Sequence, residues 1–364
     1  MKRVFALVLV LAMAAVVFSG CGSAAGTPSG EAATTVSGEA ATTAAAPAEA
    51  STTAAAPASG DALKTGLGIV TSVAKSSEKD GLAETDSMVA AVLVDNSGKI
   101  VNCRIDAAQT KINFSKEGKL VTPKDTVFKT KLELGTGYGM SKASKIGKEW
   151  NEQADAFAAY VVGKTLDQVK GIAVNEEGIA TAADLTSSVT VHIGDFIAAV
   201  EKAVNNAQEL GAKTGDKLGL GIETSMGQSA DVTADKAGLA QAYSYYTAST
   251  FGADGKVTSC VIDASQGSVN FDATGKITSD IKAAVQSKNE LGDAYGMKKA
   301  SKIGKEWNEQ AAAFAKYSAG KSIDEIKGIA VKEGVATAAD LTSSVTVHIV
   351  DFQKIIEKAS ANAK

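Results

Sequence analysis

Residues 138–154 read YGMSKASKIGKEWNEQA, and residues 295–311 read YGMKKASKIGKEWNEQA, with Ser141 against Lys298 as the one difference. A second pair is identical: ATAADLTSSVTVHI stands at 180–193 and again at 336–349. Both pairs recur in the same order, the first after 157 positions (138 to 295) and the second after 156 (180 to 336). A repeat of that length is domain-sized, so the chain carries a duplicated domain and not a solenoid of small units. Whatever one copy does, the other is expected to do as well.

Within one copy the first part reads as sheet. Residues 88–95 alternate, a turn follows at Asn96-Ser97-Gly98, and 99–106 form the partner strand. The second copy repeats this plan with 245–251, Ala253-Asp254-Gly255 and 256–263. A shorter pair, 112–114 before Glu117-Gly118-Lys119, recurs as 269–271 before Thr274-Gly275-Lys276. The rest reads as helix. Ile146, Trp150, Ala154, Phe157 and Val161 fall at three- and four-residue steps, and Gly163 stops the run. A short helix from the N-cap Thr165 to Gly171 is expected next. The last helix is predicted to start at Ser187 and Ser188 and to bury Val189, Ile193, Phe196, Ile197, Val200 and Val204. Strands first and helices after give an α+β class. The two modules span 63–209 and 213–364, each long enough for its own core. Residues 208–217 between them are short and polar, which predicts limited contact between the modules.

The N-terminus predicts an exported, anchored protein. Lys2 and Arg3 precede an apolar run over 4–17, which ends in Phe18-Ser19-Gly20-Cys21. This is the layout of a signal peptide over 1–20, and the small residues before a cysteine resemble the bacterial lipobox, in which Cys21 would be lipidated. The competing reading is an ordinary signal peptide or an uncleaved anchor. More than one acyl chain holds a protein stably at a bilayer. Residues 21–62 are rich in Ala, Thr, Gly and Pro, with SGEAATT written at 29–35 and again at 37–43. Such a segment cannot bury enough apolar surface to offset its chain entropy and is expected to be a disordered tether with a reach of about 35 Å. The expected location is therefore the outer face of the cell membrane.

Composition excludes several classes. A net charge of −4 lacks the basic face that nucleic acid requires. Aromatic residues make up 5%, few for a carbohydrate platform. Beyond Cys21 the cysteines are Cys103 and Cys260, one per repeat at the same position, so a disulfide within a module is ruled out. Each alternates with apolar neighbours on a strand and is expected to be a small buried hydrophobe. No Cys/His spacing suggests a metal, and no P-loop, dinucleotide fingerprint or Ser-His-Asp pattern appears.

The predicted start of the last helix is where chemistry is expected, because free N–H groups there collect phosphates. Asp184, Ser187, Ser188 and Thr190 crowd that turn, as do Asp340, Ser343, Ser344 and Thr346. Helix capping is the alternative reading of these hydroxyls.

The pattern resembles the extracytosolic flavin mononucleotide (FMN)-binding domain family, found in flavin-carrying subunits of membrane NADH–quinone pumps and in bacterial surface lipoproteins. That family's motif is Asp, two variable residues, Ser or Thr, Gly, Ala, then Thr or Ser before a helix. Its threonine is esterified to the flavin phosphate by a separate transferase. Asp184, Ser187 and Thr190, with Asp340, Ser343 and Thr346, fall on the matching positions. Glu133-Leu134-Gly135 and Glu290-Leu291-Gly292 are also similar to the family's front half. Ser188 and Ser344 stand where the family has Gly, and Val189 and Val345 where it has Ala. These add a Cβ and a branched side chain where glycine permits close backbone approach. The resemblance implies FMN as cofactor in each module, a flavin transferase and a membrane redox partner, and a role as a lipid-anchored electron carrier more than a stand-alone enzyme.

Other candidates have competing readings. Glu149, Glu152 and Gln153, with Glu306, Glu309 and Gln310, match a paired-carboxylate site or a solvated helix face. Trp150 and Trp307 suit a flavin ring or the core. Lys131, Glu133, Lys288 and Glu290 suit a phosphate or ribityl chain, or plain solvation. His192 and His348 read as polar-face residues. A second function stays open: a non-redox surface lipoprotein whose two equal modules bind a wall polymer, a peptide or a partner, gaining avidity from the pair. The faithful copy of the SKIGKEWNEQA segment motivates that reading.

Overall fold

Two glycine pairs set how closely the chain packs. A Cβ on Gly66 or Gly68 would lie 1.9 or 2.1 Å from the carbonyl oxygens of Ala203 and Ala199. On Gly219 or Gly221 it would lie 2.0 or 1.8 Å from those of Ala359 and Ile355. A helix backbone therefore rests directly on a strand backbone, an approach open to glycine alone.

The computed structural model describes residues 60–364; the leader, Cys21 and the tether up to 59 lie outside the described residues. The class is α+β, with antiparallel sheets and helices that follow them. The first repeat contains β1 (Ala62–Ser72), β2 (Leu82–Val94), β3 (Ile100–Asn113), α1 (Lys131–Leu134), α2 (Trp150–Val161), α3 (Leu166–Lys170), α4 (Ala183–Thr186) and α5 (Gly194–Asn205). After β4 (Gln208–Lys213) the order returns as β5 (Lys217–Ser225), β6 (Gly238–Phe251), β7 (Val257–Phe271), α6 (Lys288–Leu291), α7 (Trp307–Ser318) and α8 (Ile323–Lys327). The chain ends with β8 (Val331–Lys332), β9 (Val335–Ala336), α9 (Ala339–Thr342) and α10 (Val350–Asn362).

Sheet order is β3-β2-β1-β4 in the first repeat and β5-β6-β7 in the second. Helices cover one face of each sheet. Ala90, Val92 and Val94 of β2 meet Phe157, Val161, Phe196 and Val200 there. The other face of each sheet packs on the other sheet. Val89, Ala91 and Leu93 point that way and join Leu67, Leu218, Leu220, Ile222 and Tyr246 in a shared core. Residues 89–94 of β2 are buried on both faces, and this stretch is continuously apolar where alternation was expected.

Four layers result: helices, sheet, sheet, helices. The limited contact expected between modules is therefore wrong. Residues 208–217 are not a linker; β4 pairs antiparallel with β1, Thr65 opposite Gln208 and Lys64 opposite Glu209. The described residues form one compact unit.

The interface is organised about an approximate two-fold axis. Phe114 and Phe271 occupy equivalent positions and stack on each other, centroids 4.3 Å apart and planes 7° from parallel. Lys202 of the first repeat pairs with Glu290 of the second at 2.5 Å, and Lys358 of the second with Glu133 of the first at 2.7 Å. Buried hydroxyls bridge the sheets. Thr65 Oγ1 lies 2.6 Å from Ser259 Oγ, and the Tyr246 hydroxyl donates to Ser87 Oγ at 2.9 Å and lies 2.7 Å from Ser265 Oγ.

Several local expectations hold. The hairpin turn lies at 95–99, where Asp95 Oδ1 accepts from the amides of Ser97 and Lys99. Gly163 follows α2 with φ of 82°, and Thr165 caps α3 in a capping box. Others are corrected. The pair at 112–114 is present but grows from the end of the long strand β3: a bridge from Phe114 to Leu120 closes its turn, as Phe271 to Ile277 does in the second repeat. Ile146 precedes α2, which starts at Trp150. The last helix starts at Gly194, and the seven residues after α4 form a link, although Val189 and Ile193 are buried as expected.

Gly221→Ala places a methyl against the Ile355 carbonyl and forces α10 off β5. Overpacking of that kind costs about 1–3 kcal/mol. Urea denaturation should show the midpoint falling, while the exposed Gly98→Ala, strained only by its positive φ, should lose less.

Candidate functional site

The matching hydroxyls do not sit at the start of the long helix. Asp184 lies in α4, and Ser187 and Ser188 close it; Thr190 lies in the link before α5. The amides expected to be free for phosphate are taken. Val189 N–H donates to Leu185 O, Ile193 N–H to Gly178 O, and Thr190 N–H to Gln153 Oε1 at 2.8 Å. The helix-terminus reading of this turn is therefore corrected.

What organises the turn is a glutamine. Gln153 is fully buried in α2. Its Oε1 accepts from both the amide and the hydroxyl of Thr190, the latter at 3.3 Å. Its Nε2 donates to Ser144 Oγ and to Lys148 O at 3.1 and 3.2 Å. The twin is the same: Gln310 Oε1 accepts from Thr346 N–H at 2.8 Å and from its hydroxyl at 3.2 Å, and Gln310 Nε2 donates to Ser301 Oγ and Lys305 O. With its proton given to the amide, each threonine oxygen keeps its lone pairs for another partner.

The added side chains do not crowd this oxygen. Ser188 Oγ donates back to Leu185 O and Ser344 Oγ to Leu341 O, both at 3.1 Å. Val189 and Val345 are buried in the cores. In the second repeat Thr346 opens on a cleft of about 490 Å³, walled by Met297, Ser301 and Lys302 on one side and by Lys332, Glu333 and Val335 of the β8–β9 hairpin on the other. Asp184, Ser187, Asp340 and Ser343 are exposed beside the turn, while Thr190 and Thr346 are half-buried.

Glu149 and Glu306 fit neither earlier reading. Each is buried, and each clamps the Tyr-Gly-Met segment. Glu149 accepts from the amides of Met140 and Ser141 at 2.8 and 3.2 Å; Glu306 accepts from those of Met297 and Lys298 at 2.8 and 2.9 Å. Glu152 and Glu309 complete capping boxes on α2 and α7. No carboxylate pair faces a substrate here. Trp150 and Trp307 belong to the core, edge-on to Phe196 and Phe352. His192 and His348 are exposed.

The expected phosphate-holding residues are also employed internally. Glu133 and Glu290 cap α1 and α6 and form the ion pairs across the interface. Lys131 lies over Tyr138 and Trp150 at 4.8 and 4.9 Å. Lys288 is only 2% exposed and is ringed by Tyr295, Tyr243 and Trp307 at 4.3, 4.5 and 4.6 Å, with its ammonium donating to the Tyr243 hydroxyl. Burial lowers Lys288 to about 7, against the pull of the nearby Asp263. Tyr243 of this cage stands where the first repeat has Asp86, and Tyr245, which stacks on Tyr243, where it has Met88.

Sequence reasoning passed over Asp106 and Asp263. Both are buried strand carboxylates that hold the start of α1 and α6. Asp106 Oδ1 accepts from the Leu132 and Ala107 amides, and Asp263 Oδ1 from those of Asn289 and Ala264. Burial pushes each carboxyl up to about 6. Their signal was an Asp inside a strand, directly after an apolar stretch, at the same place in both repeats. Gln153 and Gln310 were weighed only as neighbours of the glutamates, although the copied segments contain both them and their threonines.

Among the described residues no group of His, Cys, Asp and Glu is placed to hold a metal ion. Cys103 and Cys260 are free and buried, and burial raises the Cys103 thiol to about 12, so it is no nucleophile. No family model, no curated protein and no solved structure matches this chain.

Two titrations follow. The folded value of Asp263 lies above its unfolded one, so its stabilising contribution is complete below about 3.8 and is lost as pH rises through about 6. Wild type should therefore gain stability relative to Asp263→Asn between pH 8 and pH 4, by up to roughly 3 kcal/mol in urea unfolding. Separately, Trp fluorescence should titrate near pH 7 in wild type and lose that transition in Lys288→Met.

Proposed function

We propose that this chain is a lipid-tethered electron carrier on the outer membrane face, holding FMN beside Thr346 and, in the first repeat, beside Thr190. The observation that supports it most is the doubled Gln–Thr node. An exposed oxygen lone pair is fixed by a buried amide, next to a cleft whose volume lies in the range of small-molecule sites. Lys302 and Lys332 line that cleft and offer positive charge to a phosphate. The residues present therefore fit the group. Thr346 presents an oxygen lone pair for an ester to the phosphate, and its hydroxyl donates to a phosphate oxygen only by turning its proton away from Gln310 Oε1.

FMN supplies one- and two-electron chemistry when bound; the protein supplies position and electrostatics. Glu306 fixes the Met297 backbone at one wall of the cleft, and the β8–β9 hairpin forms the other. The tether over 21–62 and a lipid on Cys21 would keep the carrier near a membrane donor.

The non-redox binding reading rests on the copied SKIGKEWNEQA segment, and the internal bonds of Glu149, Gln153 and Trp150 account for those three residues of the copy without an outside partner.

Protein isolated from its native host's membranes should be yellow and carry FMN, by absorption and intact mass. Thr346→Val should remove the flavin of the second repeat, and the double variant with Thr190→Val both. Colourless native protein that also fails to bind added FMN in titration contradicts the proposal.

A further inference from the structure

A cavity of about 740 Å³ lies away from the Gln–Thr nodes and between the repeats. Leu67, Ile69 and Glu209 line it from the first repeat, and Val261, Asp263 and Asn308 are among those lining it from the second. Three carboxylates border it, from Glu209, Asp263 and Glu290, against one lysine, Lys316. Lys202 already neutralises Glu290 at 2.5 Å, which leaves the lining with net negative charge. Asn308 Oδ1 is shielded from solvent and has no hydrogen-bond partner, and the same holds for Asn151 Oδ1 at the equivalent place in the first repeat, so the unpaired amide is common to both sides.

The approximate two-fold axis shows what such a place takes. At the equivalent place on the other side, the position of Val261 is held by Arg104 and that of Ala312 by Asp155. Arg104 is only 4% exposed, and its Nη1 lies 3.8 Å from Asp155 Oδ1. Lys364 stands where the second site has Gln208, and its Nζ lies 3.0 Å from Asp155. Its carbonyl accepts from Asn102 Nδ2 at 2.8 Å. The chain's own cations thus fill that side. On the cavity side, valine and alanine have replaced the arginine and its aspartate, while the buried carboxylate common to both, Asp106 there and Asp263 here, is retained.

We infer that the inter-repeat cavity binds a small organic cation, a guanidinium or primary amine on a short aliphatic chain, with its head beside Asp263 and its chain against Leu67, Ile69 and Val261. Charge-assisted hydrogen bonds to a carboxylate supply the specificity, and the apolar wall accepts the methylenes. An anionic ligand is disfavoured by the same charges, so this site is distinct from one for a flavin phosphate and stands or falls separately from it.

Agmatine, which carries a guanidinium and an amine on four methylenes, is the probe. Calorimetric titration of the wild-type protein should give one site per chain, with no heat from inorganic phosphate at this site. Val261→Arg with Ala312→Asp copies the filled side into the cavity and should weaken agmatine at least about tenfold. Glu209→Gln, on an exposed strand residue, should weaken it about threefold. Absence of agmatine binding by folded wild type overturns the inference. So does unchanged affinity in the double variant, or, if that variant does not fold, unchanged affinity in Glu209→Gln.

Discussion

Burial of one sheet against the other is the constraint from which the rest follows. Each sheet is apolar on both faces, with Ala90 and Val92 toward the helices and Val89, Ala91 and Leu93 toward the other sheet. A single repeat would leave the second face in water, a patch far larger than a soluble monomer leaves exposed. The duplicated sequence therefore behaves like a two-fold dimer written into one chain. The self-stack of Phe114 on Phe271 lies on its axis, and the ion pairs of Lys202 and Lys358 are exchanged across it. Aromatic pairs of this kind add roughly 0.5–1.5 kcal/mol beyond their buried area.

Conservation between the repeats and divergence between them carry different information. The residues kept in both copies mostly hold the fold: the glycines under α5 and α10, the aspartates that anchor α1 and α6, the glutamates that clamp Tyr-Gly-Met, and the glutamines that fix Thr190 and Thr346. Divergence is concentrated where the two halves meet solvent or each other. Arg104 becomes Val261 and Asp155 becomes Ala312, which opens one inter-repeat cavity and leaves the other filled. Asp86 becomes Tyr243, which closes an aromatic cage on Lys288, and Met88 becomes Tyr245, which stacks on Tyr243. One half has thus acquired features that the other lacks, on a frame that both require.

The class, the hairpin turns, the capped α3 and the buried cysteines were legible because each has a local cause: a turn glycine, a capping threonine, an alternating strand. β1 and β5 were not, because their Gly-x-Gly pattern weakens the strand signal and makes sense only beneath a helix that lies far along the chain. β4 was not legible as a strand because the polar residues of 208–213, on an edge strand, look like a loop. The site was half legible. Repetition pointed to Thr190 and Thr346, but the partner that fixes each hydroxyl is 36 or 37 residues distant and is joined by a tertiary bond. The broken helix after α4 escaped notice because Val189 and Ile193 keep helical spacing while burying themselves from a link. Glu149 was misjudged because its helix-start position suggests solvent, whereas the folded-back Tyr-Gly-Met segment covers it.

The central claim is that the two repeats share one core and so one global stability. Native-state hydrogen exchange measures it directly, amide by amide, in β2 and β6. The account predicts that the slowest amides of both strands open with the same free energy and respond together to added urea. Two separate opening energies, one per repeat and each with its own urea dependence, would contradict it.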